Sequence, residues 1–176
     1  MGQCKHREFQ PLNIAVLSIS DSRTSDDDTS GDFLVNAITE SGHHLIARDL
    51  IKDDKYSIRS VLSQWIASNN IQVVITSGGT GFTAKNYVPE AIEPLFDRDI
   101  EGFGELFRHI SFLELGTSTM QSRALAGMAN QTAIFCLPGS IGACKTGWNK
   151  ILVEQLDAGH RPCNFVPHLK AVSITK

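Results

Sequence analysis

Apolar and polar positions along the chain follow two rhythms, one of strands and one of helices. Residues 12–19 (LNIAVLSI) form an unbroken apolar run between Pro11 and the polar pair Ser20-Asp21, which predicts a first buried strand. A polar loop, DSRTSDDDTSG, follows it. Ser30 is placed to cap a helix over 31–40, with Gly42 beyond its end. Residues 44–50 alternate as a second strand. Across 57–69, Ile58, Val61, Leu62, Trp65 and Ile66 recur at helical spacing and make one apolar stripe. Residues 71–77 are β-branched and read as a third buried strand. Pro89 suits the first turn of a short helix, PEAIEPLF. Two more helical patterns, 102–115 and 117–127, are broken by Gly116. Residues 132–137 (TAIFCL) are a fourth strand, and Pro138-Gly139-Ser140 turns into a helix over 141–156. The segment GHRPCNFVPHLK carries two prolines and is predicted to run extended over the body or a neighbouring subunit.

Strands alternating with helices predict an α/β fold with a parallel sheet covered on both faces. In such sheets ligands bind outside the carboxyl ends of the strands. Three loops there carry chemistry: SDSRTSDDDTSG after the first strand, SGGTGFTAKN after the third and PGSIGACK after the fourth.

Length and composition narrow the class. The 176 residues suit one domain over 1–176, with an N-terminal extension at 1–10 and a tail at 157–176. A net charge of −3 argues against nucleic acid as the main partner. Cys4, Cys136, Cys144 and Cys163 form no CxxC pair, which suits neither a zinc ribbon nor a disulfide framework. The expected compartment is the reducing cytoplasm. No apolar stretch near Met1 serves as a signal peptide, and no window approaches the ~18 apolar residues of a membrane span. Gly2 and Cys4 invite an acylation reading, but His6 and Arg7 stand where Ser or Thr is required.

GGTG, Gly78–Gly81, is suited to exposing consecutive backbone N–H groups to an anion, with hydroxyls from Ser77 and Thr80 beside it. The competing reading is a tight strand-to-helix turn; the flanking hydroxyls favour phosphate. Gly79, Gly81 and Ala84 also match GxGxxA, a dinucleotide fingerprint, but no acidic strand end follows about 20 positions on. Asp26, Asp27, Asp28, Thr29, Ser30 and Gly31 could hold Mg²⁺ or a heterocycle, or simply be a solvated loop ending in a cap. Asp53 and Asp54 read first as helix-entry acids. Pro138, Gly139 and Ser140 offer a second anion platform or a plain connection. Arg123, Lys85 and Lys145 could meet a phosphate or solvent. The histidines show no metal spacing, and no GxSxG elbow supports hydrolysis.

Several motifs together resemble the molybdenum cofactor biosynthesis proteins of the MoaB/MogA type. They are SISDSR…DDDTSG (18–31), SGGTGFTAKNYVPEA (77–91), LFDRDIEGFGELFR (95–108), GTSTMQSRALAG (116–127), FCLPGS (135–140) and the RPCNFVPHLK tail. The resemblance implies a three-layer α/β/α sandwich with a mostly parallel central sheet, assembled as a trimer or hexamer. It implies adenylylation: molybdopterin plus ATP, with Mg²⁺, gives adenylylated molybdopterin and pyrophosphate. By position, Ser77–Gly81 resemble the pterin-phosphate loop. Ser20, Asp28–Gly31, Glu90, Ser122, Arg123 and Pro138–Ser140 resemble other ligand-lining positions, and Asp53 an acid near nucleotide and metal. The family's second acid follows GGTG in a pattern like GGTGxxxxDxxPEA; here it is Asn86, which keeps the shape and a carbonyl acceptor but loses the charge. That departure brings in a second function class, a molybdopterin carrier or scaffold without turnover.

Overall fold

The computed structural model describes residues 8–172. Its elements run β1 (Asn13–Ile19), α1 (Thr29–Glu40), β2 (His44–Ile51), α2 (Lys55–Ala67), β3 (Val73–Ser77) and α3 (Val88–Ile92). They continue through β4 (Arg98–Asp99), α4 (Glu101–Leu115), β5 (Leu125–Ala129) and β6 (Thr132–Leu137). The final helix begins as α5 (Ile141–Gly147), passes through one π turn at Trp148–Leu152 and ends as α6 (Val153–Gln155). One sheet holds all six strands in the order β2-β1-β3-β6-β5-β4. The first four are mutually parallel; β5 and β4 complete the sheet antiparallel.

Alternation along the central strands divides the core between two faces. Ile14 and Val16 of β1 join Leu34, Ile38, Phe103, Phe107 and Trp148 under α1, α4 and α5. Ala15, Leu17 and Ile19 join Ile58, Leu62, Val88 and Ile92 under α2 and α3. This is the expected three-layer α/β sandwich.

The sequence pattern is corrected in three places. Residues 117–127 are not a helix. Gly116–Gln121 form a short 3₁₀ stretch and 125–129 are β5. What decides this is the turn: Asn130 and Gln131 both take positive φ, the geometry of a two-residue hairpin that lays β5 against β6. The cap of α1 is Asp28, whose side chain accepts from Gly31 N–H, and not Ser30. Third, the tail does not run wholly extended: it makes a 3₁₀ turn at Val166–His168, and Phe165 stacks edge-on against Phe135. Lys170 then fastens the tail, donating from Nζ to the carbonyls of Ile66 and Ser68 at the end of α2. Its backbone N–H donates to Gln131 in the hairpin turn. The acylation reading of Gly2 and Cys4, and positions 1–7 of the N-terminal extension, lie outside the described residues. None of the described helices is long and apolar enough to cross a membrane.

Candidate functional site

Four parallel strands end along one edge of the sheet, and β1 and β3 lie side by side there although β2 separates them in sequence. This is the switch point at which an open α/β sheet leaves a crevice. A cleft of about 800 Å³ opens over it, within the size range of small-molecule sites. Its walls are the loop after β1 (Ser20–Arg23), Asp53 after β2, the loop after β3 (Gly78–Asn86) and Pro138–Ser140 after β6. The far wall comes from α4 and the turn beyond it, including Phe107, Glu114 and Ser122.

The β3 loop can lie this close only because it begins with glycine. A Cβ on Gly78, at φ +108°, would sit 2.1 Å from the Ile19 carbonyl oxygen. One on Gly79, at φ +64°, would strike Val88 and press on the Asp53 carboxylate. Gly78 N–H is taken by the Leu137 carbonyl, continuing the β3–β6 ladder. Among the described residues, the N–H groups of Gly79, Thr80 and Gly81 have no backbone partner, which leaves them for an anion.

Asp53 is buried at the base of the cleft and accepts from Tyr87 N–H (3.1 Å) and from the Asn86 amide (3.4 Å). Burial raises its pKa, against the opposing effect of these two donors. Asn86 in turn accepts on Oδ1 from the N–H and hydroxyl of Thr83, which folds residues 83–86 into a closed turn. An aspartate at 86 would place a second carboxylate against Asp53; the amide supplies a donor there instead. At the rim Lys85 pairs with Asp21 at 3.1 Å, and that hydrogen bond holds the Asp21 carboxyl below its usual range. Arg23 lies in the opposite wall, donating to the Gly139 carbonyl (2.9 Å) and to Ser30 Oγ (3.3 Å). Arg23, Asp21, Phe107 and Glu114 were not singled out from sequence. The strand-end rule covers Asp21 and Arg23, since both follow β1 directly; nothing local marks Phe107 and Glu114.

The predicted site residues divide into two groups. Ser20, Asp53, Gly78–Gly81, Asn86, Ser122 and Pro138–Ser140 line the cleft together. The rest build its frame. Asp28, almost wholly buried, caps α1, accepts from Ser18 and pairs with Arg48 and Arg23. Thr29 opens α1, and Gly31 packs so closely on Asp28 and Ser18 that no side chain fits. Ser30 donates to the Gly139 carbonyl, tying α1 to the loop after β6. Ser77 is buried against Cys144. Glu90 and Arg123 pair with each other and border a separate groove. Asp26 and Asp27 are exposed outside the cleft, Asp27 capping the Thr24 N–H. Lys145 lies over the Phe33 ring. Cys136 is a core residue, as its apolar run predicts; burial pushes its thiol up to about 12, so it is unreactive.

Among the described residues, no group of three or more His, Cys, Asp or Glu is placed to hold a metal. The cleft offers Asp53 as one carboxylate ligand. That fits Mg²⁺ arriving on a nucleotide, because Mg²⁺ is commonly held by one or two carboxylates together with substrate phosphates.

Residues 15–158 match the family described as "Probable molybdopterin binding domain". Molybdenum cofactor biosynthesis protein B of Escherichia coli K12 is 55% identical over 163 residues, 93% of this chain and 96% of that protein. Its namesake in Bacillus subtilis 168 is 36% identical, covering 89% and 94%. A crystal structure of molybdenum cofactor biosynthesis protein B superposes with a TM-score of 0.81 at 39% identity, over 84% of this chain and 92% of that one. The tungsten cofactor synthesizing protein MoaB of Pyrococcus furiosus gives 0.74 at 34%, over 82% and 92%. By that family match and these relatives, the chain belongs to the molybdopterin-binding-domain family of molybdenum cofactor biosynthesis proteins, alongside the B-type members.

Proposed function

We propose that the cleft binds molybdopterin by its terminal phosphate and transfers AMP to that phosphate from Mg-ATP. The observation that carries the reading is the convergence of the free Gly79–Gly81 N–H groups, Arg23, Lys85 and Asp53 on one cleft. A terminal phosphate oxygen attacks the α-phosphorus of ATP; the new O–P bond forms as the bond to the β-phosphate oxygen breaks, and pyrophosphate leaves. The nucleophile is already ionised, so no strong protein base is needed. The protein's task is to position two anions and neutralise their charge. The N–H nest and Arg23 suit the pterin phosphate, and Lys85 suits the triphosphate once it exchanges Asp21 for the ligand. Asp53 would hold a Mg²⁺ that arrives on ATP, and that ion would supply charge neutralisation at the phosphates.

Asn86 favours a second reading, a carrier that binds molybdopterin without turnover. The β3 loop sets an amide, not a second carboxylate, against the Asp53 carboxylate. The two readings separate on pyrophosphate release from purified protein given molybdopterin and Mg-ATP, beside Asn86→Asp. Release by the native protein, rising ~10-fold or more in the variant, is the expected result. Pterin binding with no release from the native protein makes it a carrier.

Two further readings go with this one. Exposed Leu106, Phe112, Leu113, Leu115 and Met120 on α4 and the turn after it support a homotrimer or hexamer. Free thiols at Cys136, Cys144 and Cys163 support a reducing, cytoplasmic setting.

A further inference from the structure

We infer that Arg123 is a positioning residue that sets the orientation of three peptides of the β3 loop, those following Thr80, Gly81 and Asn86, and does not itself contact the phosphate. This rests on the reading of the cleft as a phosphate site. The Arg123 guanidinium sits behind the loop and gathers its carbonyls. Nε donates to Gly81 (3.1 Å) and Thr80 (3.3 Å), and Nη2 donates to Gly81 (2.6 Å) and Asn86 (2.6 Å). Nη1 binds the Glu90 carboxylate at 2.5 Å, and the Phe82 ring covers the guanidinium at 5.1 Å. Its side chain is three-quarters buried, and it borders the groove on the other side of the loop from the cleft.

The consequence follows from peptide geometry. In a planar trans peptide the carbonyl of one residue and the N–H of the next point in opposite directions. Turning the Thr80 and Gly81 carbonyls back to Arg123 therefore turns the N–H groups of Gly81 and Phe82 forward. The same logic is visible at Asn86, whose carbonyl meets Arg123 while the next N–H, that of Tyr87, reaches the Asp53 carboxylate at 3.1 Å. One guanidinium thus turns the Gly81 end of the anion nest and the Tyr87 donor to Asp53, while the Gly79 carbonyl, and with it the Thr80 N–H, is held separately by the Val88 N–H at 3.1 Å. The role needs a planar fork with several donors, and an ammonium is a poor substitute.

The test compares Arg123→Lys, Arg123→Gln and Glu90→Gln with the native chain. Inorganic pyrophosphate is the anion probe, and backbone amide exchange is followed by NMR. A brace predicts that Lys restores nothing: both Arg123 variants weaken pyrophosphate binding roughly tenfold or more. Tyr87 N–H loses protection by a similar factor, while amides of β1 and β3 keep theirs. Glu90→Gln, which loosens the same fork from outside the cleft, shows the Tyr87 change in milder form. The inference is overturned if Arg123→Lys binds pyrophosphate like the native protein, the mark of a direct charge contact. It is also overturned if Tyr87 protection is unmoved in all three variants. If the native chain binds neither pyrophosphate nor molybdopterin, the phosphate-site reading fails, and Tyr87 exchange still judges the brace.

Discussion

Asp53 is a carboxylate kept at the base of the cleft at some cost to the fold. Burial raises its pKa above the unfolded value, so the folded state favours the protonated form. The cost of ionising it grows as pH climbs from the unfolded pKa through the folded one, and is complete above that window. Asp53→Asn should therefore stabilise the protein at pH 7, seen as a higher urea midpoint. The gain should vanish below about pH 4, where aspartate is protonated in the unfolded chain. Pyrophosphate release should be lost in the same variant; a variant that kept it would remove Asp53 from the chemistry. His43 shows the opposite titration. It is buried between Phe9 and Trp148, accepts the Leu12 N–H on Nδ1, and has its pKa lowered to about 4, chiefly by burial. Between pH 6.5 and 4 the unfolded chain takes up a proton that the folded chain refuses. Stability should fall by ~3 kcal/mol as pH drops through that interval. His43→Gln keeps an acceptor for Leu12, and its urea midpoint should vary less with pH over the same range.

The β5–β6 hairpin is held by a turn that two L-residues occupy at a strain. Asn130 tolerates its φ of 47°, but Gln131 at 58° has no such preference. Gln131→Gly should raise the melting temperature by a few degrees, worth up to ~1 kcal/mol, with the Lys170 bond to the backbone carbonyl of 131 intact. A lower melting temperature would mean that the Gln131 side chain does more than its conformation suggests. This same turn explains what the sequence concealed. The central strands were legible because each is a run of buried branched residues with turn residues at its end. The α2 stripe was legible because its face is clean. β5 reads LAGMA, too small and too weakly alternating to signal a strand; only pairing across Asn130–Gln131 makes it one. The site was legible to the same degree. Strand ends are local, so Gly78–Gly81 and Pro138–Ser140 could be placed along the cleft, whereas Asp53 reads from spacing as a helix-entry acid and only the family resemblance drew it toward the site. Whether Arg123 faces the ligand or the back of the loop depends on residues some 40 positions away, and no spacing rule reaches that far.

At the scale of the whole molecule, the exposed apolar side chains of α4 lie beside one wall of the cleft, to which Leu115 contributes. Leu113 is 76% exposed and Met120 77%, too open to serve the fold of one chain. If the proposed assembly uses this face, Leu113→Glu should leave the melting of the single chain nearly unchanged and reduce the sedimenting mass to that of a monomer. A native chain that already sediments as a monomer, or a variant whose mass is unaltered, removes this face from the proposed assembly. The Lys170 anchor has a different reach. It joins the end of α2, the hairpin turn and, through the Lys170 carbonyl accepting from Gln72, the approach to β3. The ribosome delivers this lysine after everything it fastens. A chain without this lysine keeps every strand of the sheet and every wall of the cleft, but the far end of α2 stays unlatched. Loss of the latch frees the end of α2 and the hairpin turn together, so a protease that cuts there reports on the tail and not on the cleft.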